Sequence, residues 1–182
     1  FDKLRENNYF YVDKTAFIKE WWEAGDDVTL ITRPRRFGKT LNMDMLKCFF
    51  SNQYAGRADL FEGLSIWKEE KYRELQGQYP VIFVSFASIK ANNYKDARDG
   101  IISAVFGAYQ EYYSLFQENG IAESEKLFFR ELNTYVNTTA PDKEITNESI
   151  FRALNSLSAC LFRYYGKKAI ILLDEYDTPM QE

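Results

Sequence analysis

The chain has 182 residues, a length that predicts one domain or slightly more and is enough to bury a sizeable core. Hydrophobic residues make up 46% and aromatic residues 17% of the sequence, which excludes an intrinsically disordered protein. The net charge of −4 gives no overall basic surface for nucleic acid, and the absence of histidine excludes zinc fingers and histidine-dependent catalytic triads.

The cellular compartment is predicted from the cysteines and from the lack of a membrane-span pattern and a signal-peptide pattern. Cys48 and Cys160 fall in apolar helical patterns, where a free thiol behaves as a small hydrophobe, and this indicates a reducing compartment. No apolar run reaches the roughly 18 residues of a membrane span, and the first residues, FDKLRENN, do not have the pattern of a signal peptide. We therefore expect a soluble, cytoplasmic protein that has no membrane partner.

In chain order, the hydrophobic pattern alternates between helical and strand periods. Asp13 and Asn147 are placed to cap two of the helices, and Gly25, Gly120 and Gly166 are placed to end helices. The predicted elements are a helix over 14–24, a strand over 28–32, a helix over 40–51, a strand over 81–86, helices over 94–118, 122–137 and 149–165, and a strand over 169–173.

This order predicts an α/β fold of the P-loop NTPase type. Apolar strands joined by helices imply right-handed crossovers and a mainly parallel sheet between two layers of helices, and such sheets bind ligands at the carboxyl ends of their strands. The segment 94–137 is longer than a simple crossover, so we expect a helical insert. Its aromatic residues, such as Tyr112 and Phe129, are expected in the core rather than on a surface that stacks bases.

A phosphate-binding loop is predicted at residues 33–40, RPRRFGKT. Its spacing matches that of the P-loop, except that Arg33 stands in place of the first glycine. Gly38 lets the backbone approach phosphate oxygens, and the helix that follows adds partial positive charge. Lys39 is expected to reach the β- and γ-phosphates, and the Thr40 hydroxyl to bind Mg²⁺. The expected ATP contacts are Arg36, Phe37, Gly38, Lys39, Thr40 and Leu41.

The specificity of this loop comes from its context. The Gly-Lys-Thr tripeptide alone is expected by chance in roughly one chain in ten of this length. Here the tripeptide follows a β-prone run and precedes an amphipathic helix, and a second strand has an acidic end. A chance match to this whole pattern is far rarer than a match to the tripeptide. The alternative is a basic strand-to-helix turn in which Gly38 serves only the backbone geometry. Whether Arg33, Arg35 or Arg36 contacts the triphosphate, or is solvated or ion-paired, is left open.

An acidic pair follows the apolar run 169–173, in the form of a Walker B element. A carboxylate at the tip of a strand can hold Mg²⁺, and the next carboxylate can polarise the attacking water. We therefore predict Asp174 as a metal ligand and Glu175 as the catalytic base, with Lys39 as the second catalytic residue. The alternative is a charged turn that closes a buried strand. Asp177 either supports the metal site or is simply exposed.

With both motifs present, the chain resembles the AAA-ATPase-like family of prokaryotic ATP-binding proteins. The resemblance implies ATP and Mg²⁺ as ligands, with the phosphate, metal and catalytic roles given above. Related proteins commonly carry a C-terminal nuclease-like domain of the PD-(D/E)XK type, which is not visible in this sequence. The resemblance rests on YFYVDKTAFI (9–18), on TRPRRFGKTLN (32–42), in which the arginine at the first glycine position is a family feature, and on ILLDEYDTPM (171–180).

The resemblance also bears on the N-terminal motif and on the extent of the domain. Tyr11, Asp13 and Lys14 match the family motif and precede the predicted strand over 28–32, where an adenine ring could pack. Asp13 as a helix cap and Tyr11 as a core residue are the favoured alternatives. In such ATPases a further strand separates the two motif strands, so we expect residues 1–182 to be the N-terminal part of the ATPase domain of a longer protein, without the sensor and arginine-finger residues.

Two functions fit these predictions. The first is ATP binding with Mg²⁺-dependent hydrolysis that drives or switches an attached domain, which in a nuclease-like fusion would act on nucleic acid. The alternative is a nucleotide-dependent binding module with little or no hydrolysis. Glu175 favours the first function, because a base is needed only for hydrolysis. A helical protein with a vestigial loop predicts no stabilisation by nucleotide at all. The oligomeric state is not predicted.

Overall fold

The computed structural model describes residues 1–32, 37–138 and 144–178. The protein is α/β, with a small parallel two-stranded sheet and many helices, and it divides into two compact units, Phe1–Val81 and Ile82–Glu182. The helices are α1 (Asp2–Glu6), α2 (Ala16–Ala24), α3 (Lys39–Phe50), α4 (Glu70–Arg73), α5 (Tyr94–Gln110), α6 (Glu123–Asn137) and α7 (Asn147–Tyr165). The strands are β1 (Val81–Ser85) and β2 (Ile170–Asp174), and short 3₁₀ helices lie at Asn52–Tyr54, Ala58–Leu60, Ser65–Lys68 and Leu115–Gln117.

The start of α2 differs from the prediction. Thr15, not Asp13, occupies the N-terminal cap position, and its side chain makes no capping hydrogen bond. Asp13 lies two residues earlier, and its Oδ1 accepts hydrogen bonds from the backbone N and the hydroxyl of Thr15. The carboxylate therefore orders the segment before the helix instead of capping it. The predicted end is confirmed, because Gly25 closes α2 with φ of 65°.

The core of the first unit is built on α3, which the sequence predicted to within a residue. Its apolar face buries Phe49 and Phe50 completely. The ring of Trp22 from α2 stacks on Phe50 with centroids 5.3 Å apart, and the ring of Phe61 meets Phe49 edge-on at 5.0 Å. Burying each such ring stabilises the fold by about 1.5–3 kcal/mol, so α3 is held firmly. Cys48 is free and buried in the same helix, and burial raises the pKa of its thiol to about 12.

The chain returns beside the end of α3 in a tight turn at Gly77. The backbone N of Gly77 donates to Phe49 O at 2.8 Å, and that of Tyr79 donates to Phe50 O at 2.8 Å. Gly77 has φ of 70°, and a β-carbon there would lie 2.6 Å from Cα of Ala55. Glycine is thus required here both by the backbone conformation and by the space.

The predicted strand over 28–32 is wrong. These residues form no strand, and Val28 and Leu30 are 87% and 62% exposed. A β-prone run becomes a strand only where a neighbouring strand and a packing surface support it. Within the described residues, the run 28–32 has neither of these supports.

The two predicted strands of the second part of the chain are confirmed to within one residue. β1 and β2 pair in the small parallel sheet. The expected wider sheet with helices on both faces is not seen in the described residues. Along β2, Leu172 is buried, whereas Ile171 and Leu173 are 44% and 38% exposed. One face of this strand is therefore packed and the other is open.

Helix α5 is shorter than predicted, since it ends at Gln110 and a turn follows at 111–114. The expected stop at Gly120 is wrong, and Tyr113, one of the aromatic residues of segment 94–137 that were expected in the core, is 57% exposed. The turn places Phe116 parallel to Phe129 with ring centroids 5.0 Å apart. Tertiary packing of these rings outweighs the helical propensity of the segment.

Helices α6 and α7 complete the core of the second unit and match their predicted positions. The cap of α7 is Thr146, whose hydroxyl accepts from Ser149 N at 3.1 Å, so the predicted cap Asn147 is wrong. Gly166 ends α7 as predicted, with φ of 70°. No helix of the described residues could cross a membrane. The core includes Ile82, Val84, Ile102, Tyr109, Leu157, the free Cys160 and, as expected, Tyr112 and Phe129.

Candidate functional site

The predicted phosphate loop leads directly into α3. Gly38 occupies the N-terminal cap position with φ of 76° and ψ of 25°, a left-handed conformation that glycine adopts without strain. The helical ladder begins where Asn42 N donates to Gly38 O at 2.9 Å. The backbone N–H groups of the first turn have no partner within the helix, and Gly38 provides no capping side chain. The backbone at this point can therefore accept an anion.

The side chains of the loop are accessible to different degrees. Phe37 is 62% exposed, Thr40 is exposed, and Lys39 and Leu41 are half-buried. Within the described ranges, Lys39 forms no ion pair. Arg36, the remaining predicted contact, lies outside the described residues, as do Arg33 and Arg35.

The N-terminal motif packs on α3 and on the 3₁₀ helix at Ser65–Lys68. The Tyr11 hydroxyl donates to Sδ of Met45 at 3.2 Å and accepts from Lys14 N at 3.3 Å. Oδ2 of Asp13 accepts from Ser65 N at 2.7 Å. A β-carbon on Gly38 would lie 4.0 Å from Nζ of Lys14. The motif thus places a lysine side chain beside the phosphate loop.

Burial and hydrogen bonds shift the acidities of this motif. Burial raises the pKa of the Tyr11 hydroxyl, so it remains protonated and able to donate. Burial also pushes the pKa of the Asp13 carboxyl upward, but the hydrogen bonds from Thr15 and Ser65 outweigh this effect and leave the pKa below its usual value. Asp13 is therefore held as a carboxylate.

The acidic pair lies at the carboxyl end of β2, as predicted. Asp174 is the last residue of the strand and is 2% exposed, and its backbone O accepts from Phe86 N at 3.0 Å. Glu175 is half-buried and has φ of 52°, which costs a residue with a side chain about 1–3 kcal/mol. The backbone N of Thr178 closes the turn onto Glu175 O at 3.0 Å. Asp177 lies at the surface.

Sequence reasoning missed two features of these sites. The hydrogen bond from Ser65 to Asp13 joins residues 52 positions apart, and no local pattern signals it. Glutamate rarely adopts a left-handed backbone, so the residue type at position 175 did not predict this conformation.

Magnesium was predicted to bind Thr40 and Asp174. Among the described residues, no three His, Cys, Asp or Glu side chains are grouped so that they could hold a metal ion. Mg²⁺ in nucleotide sites is held by one or two carboxylates together with phosphate oxygens, so a group of three is not needed. A threonine hydroxyl and an aspartate carboxylate are hard oxygen donors that suit this ion.

Comparison with known proteins gives the family. A protein of Azotobacter chroococcum mcd 1, described as an uncharacterized protein in the vnfD 5' region, is 29% identical over 181 residues. The match covers 99% of this chain and 28% of that protein, so the chain spans less than a third of its relative. No solved structure matches the chain. The model of the AAA-ATPase-like family, described as predicted AAA-ATPase, matches residues 1–182, and the chain therefore belongs to this family.

Proposed function

We propose that this chain binds Mg-ATP at the start of α3 and takes part in ATP hydrolysis. Family membership over residues 1–182 suggests the use of ATP. The observation that carries the proposal is the left-handed Gly38 directly before Lys39 in the first turn of α3, because a helix that starts at such a glycine directs backbone N–H groups toward a phosphate.

Each residue of the loop has a distinct role in the proposal. The backbone of residues 37–41 surrounds the phosphate groups, and the half-buried Lys39 places its ammonium on the β- and γ-phosphates. The hydroxyl of Thr40, which is an exposed residue, and the carboxylate of Asp174 would be the magnesium ligands. Mg²⁺ held by these ligands would supply positive charge that offsets the charge of the triphosphate.

Glu175 is the proposed general base. It takes a proton from a water molecule whose oxygen attacks the γ-phosphorus, the bond from that phosphorus to the bridging oxygen breaks, and ADP and phosphate leave. The left-handed backbone of Glu175 supports this role, because strained residues cluster at functional sites. In the complete protein, hydrolysis drives or switches an attached domain.

Thermal unfolding with and without Mg-ATP tests the nucleotide site. A ligand at 100 times its dissociation constant adds about 2.7 kcal/mol to the free energy of unfolding, and this gain should vanish in Lys39→Ala. Lys68→Ala, which removes an exposed lysine of the same unit, is the matched control and should keep the gain. Absence of any gain in the folded wild-type chain would contradict the proposal.

Phosphate release tests hydrolysis separately from binding. Glu175→Gln should retain the nucleotide-dependent stabilisation and lower turnover about 10²- to 10⁴-fold, the usual contribution of a general base. A very low turnover that Glu175→Gln leaves unchanged would instead indicate a nucleotide-dependent binding module.

A further inference from the structure

The side chain of Lys14 lies beside the phosphate loop although it is 24 positions before Gly38 in the sequence. The position of a β-carbon on Gly38 is 4.0 Å from Lys14 Nζ, which is ordinary van der Waals distance. Lys14 is exposed, and it forms no ion pair within the ranges that the structure describes. Its charge is therefore available to a ligand of the loop.

The backbone at Lys14 is fixed from both sides. On one side, Lys14 N donates to the Tyr11 hydroxyl, which is itself bonded to Met45 of α3. On the other side, the Asp13 carboxylate binds the backbone N of both Thr15 and Ser65, at 2.9 and 2.7 Å. These hydrogen bonds fix residues 11–15 to α3 and to the 3₁₀ helix at Ser65–Lys68. The side chain therefore extends from an anchored backbone, which limits the entropy lost when its ammonium binds a ligand.

We propose that Lys14 is a second phosphate-binding lysine, whose ammonium donates to a phosphate oxygen of the nucleotide bound at residues 37–41. This inference rests on the proposed function. A lysine ammonium is a compact point charge with three donors, which suits a triphosphate that carries several negative charges. In the proposed site Lys14 and Lys39 supply separate charges, one from the N-terminal motif and one from α3.

The proposal accounts for the order of residues in the N-terminal motif. Tyr11 and Asp13 make the anchoring hydrogen bonds, and Lys14, which directly follows Asp13, has a side chain that forms no ion pair in the described part of the chain. The motif thus positions the ammonium group of Lys14 beside the phosphate loop.

The test is the dissociation constant of a fluorescent ATP analogue with Mg²⁺, measured by anisotropy for wild type, Lys14→Ala, Lys14→Arg, Lys39→Ala and Lys68→Ala. Loss of one charge-assisted hydrogen bond should weaken binding of Lys14→Ala about tenfold or more. Lys14→Arg should recover part of the affinity because it keeps the charge, and Lys68→Ala should bind as wild type does. Thermal unfolding without nucleotide should show that Lys14→Ala is as stable as wild type.

The outcomes separate this inference from the proposed function. Wild-type affinity in Lys14→Ala together with weakened binding in Lys39→Ala would overturn the role of Lys14 and leave the nucleotide site standing. Equal weakening in Lys14→Ala and Lys68→Ala would also overturn it, because the effect would then be general surface charge. Failure of the wild-type chain to bind the analogue would overturn both proposals. If Lys14→Ala does not fold, Lys14→Gln provides the same comparison with a longer side chain.

Discussion

The carboxylate of Asp13 accepts a hydrogen bond from the backbone N of Ser65 at 2.7 Å, and this bond joins two segments that are 52 positions apart. The same carboxylate binds the backbone N and the hydroxyl of Thr15. One side chain therefore holds the segment before α2 against the 3₁₀ helix at Ser65–Lys68.

Asp13→Ala should lower the free energy of unfolding by about 1–3 kcal/mol, because it leaves donors at Thr15 and Ser65 without their acceptor. Urea unfolding measures this change. Asp26→Ala removes an exposed carboxylate from the same unit and should change stability by less than about 0.5 kcal/mol. Equal effects of the two substitutions would show that the hydrogen bonds of Asp13 do not stabilise the folded chain.

The stabilisation by Asp13 should depend on pH. The pKa of its carboxyl is lower in the folded chain than the ordinary value of 3.8, so its contribution is complete above that value and disappears as the pH falls through the folded value. Between pH 5 and pH 2.5, the free energy of unfolding should therefore fall more steeply in wild type than in Asp13→Asn. Since every other carboxyl is common to both proteins, parallel curves would contradict the prediction.

Gly77→Ala should destabilise the chain more than Gly56→Ala. Both glycines have positive φ, 70° and 84°, so both substitutions strain the backbone by about 1–3 kcal/mol. Only at Gly77 would the new β-carbon meet backbone, at 2.6 Å from Cα of Ala55, whereas nothing lies within 4 Å at Gly56. We expect the clash to add about 1–3 kcal/mol, measured by urea unfolding of both variants. A smaller loss of stability at Gly77 than at Gly56 would show that the turn can shift to accommodate the β-carbon.

Glu175→Gly should be more stable than Glu175→Ala by about 1 kcal/mol, because glycine adopts φ of 52° without strain and alanine does not. At an ordinary helical position the order is reversed, and Thr134, exposed within α6, provides the control pair Thr134→Gly and Thr134→Ala. Thermal unfolding of the four variants measures both differences. The same order at both sites would mean that Glu175 is not strained.

Phe129→Ala should lower the free energy of unfolding by about 3–5 kcal/mol, because the 5% exposed ring packs on Phe116 inside the second core. Phe151→Ala removes an 85% exposed ring and should have an effect within about 0.5 kcal/mol. Chemical denaturation of the two variants makes the comparison. A change below 1 kcal/mol at Phe129 would indicate that the ring is not part of a packed core.

The sequence predicts those elements of this fold that have their own hydrophobic period. α3, α6, α7, β1 and β2 were each placed to within about two residues, because a buried stripe or a continuous apolar run marks them directly. Gly25 and Gly166 were found as helix ends because the left-handed conformation there favours glycine.

The errors arise where distant residues decide the structure. The run 28–32 has strand propensity but no strand partner among the described residues, and α5 ends early because Phe116 packs on Phe129. At the candidate site, the motifs predicted the helix that follows Gly38 and the strand that ends next to Glu175. The placement of Lys14 beside Gly38 depends on the hydrogen bond that Ser65 N donates to the Asp13 carboxylate, which no local pattern contains.

The fluorescence of Trp22, whose ring stacks on Phe50, and of the other tryptophans can be used to follow unfolding. The tryptophans of the chain, Trp21, Trp22 and Trp67, all lie in the first unit. Intrinsic fluorescence excited at the red edge of the tryptophan band therefore monitors that unit alone, whereas far-ultraviolet circular dichroism is dominated by the long helices of both. The native chain can report without any label whether its two units unfold in one cooperative step or in succession.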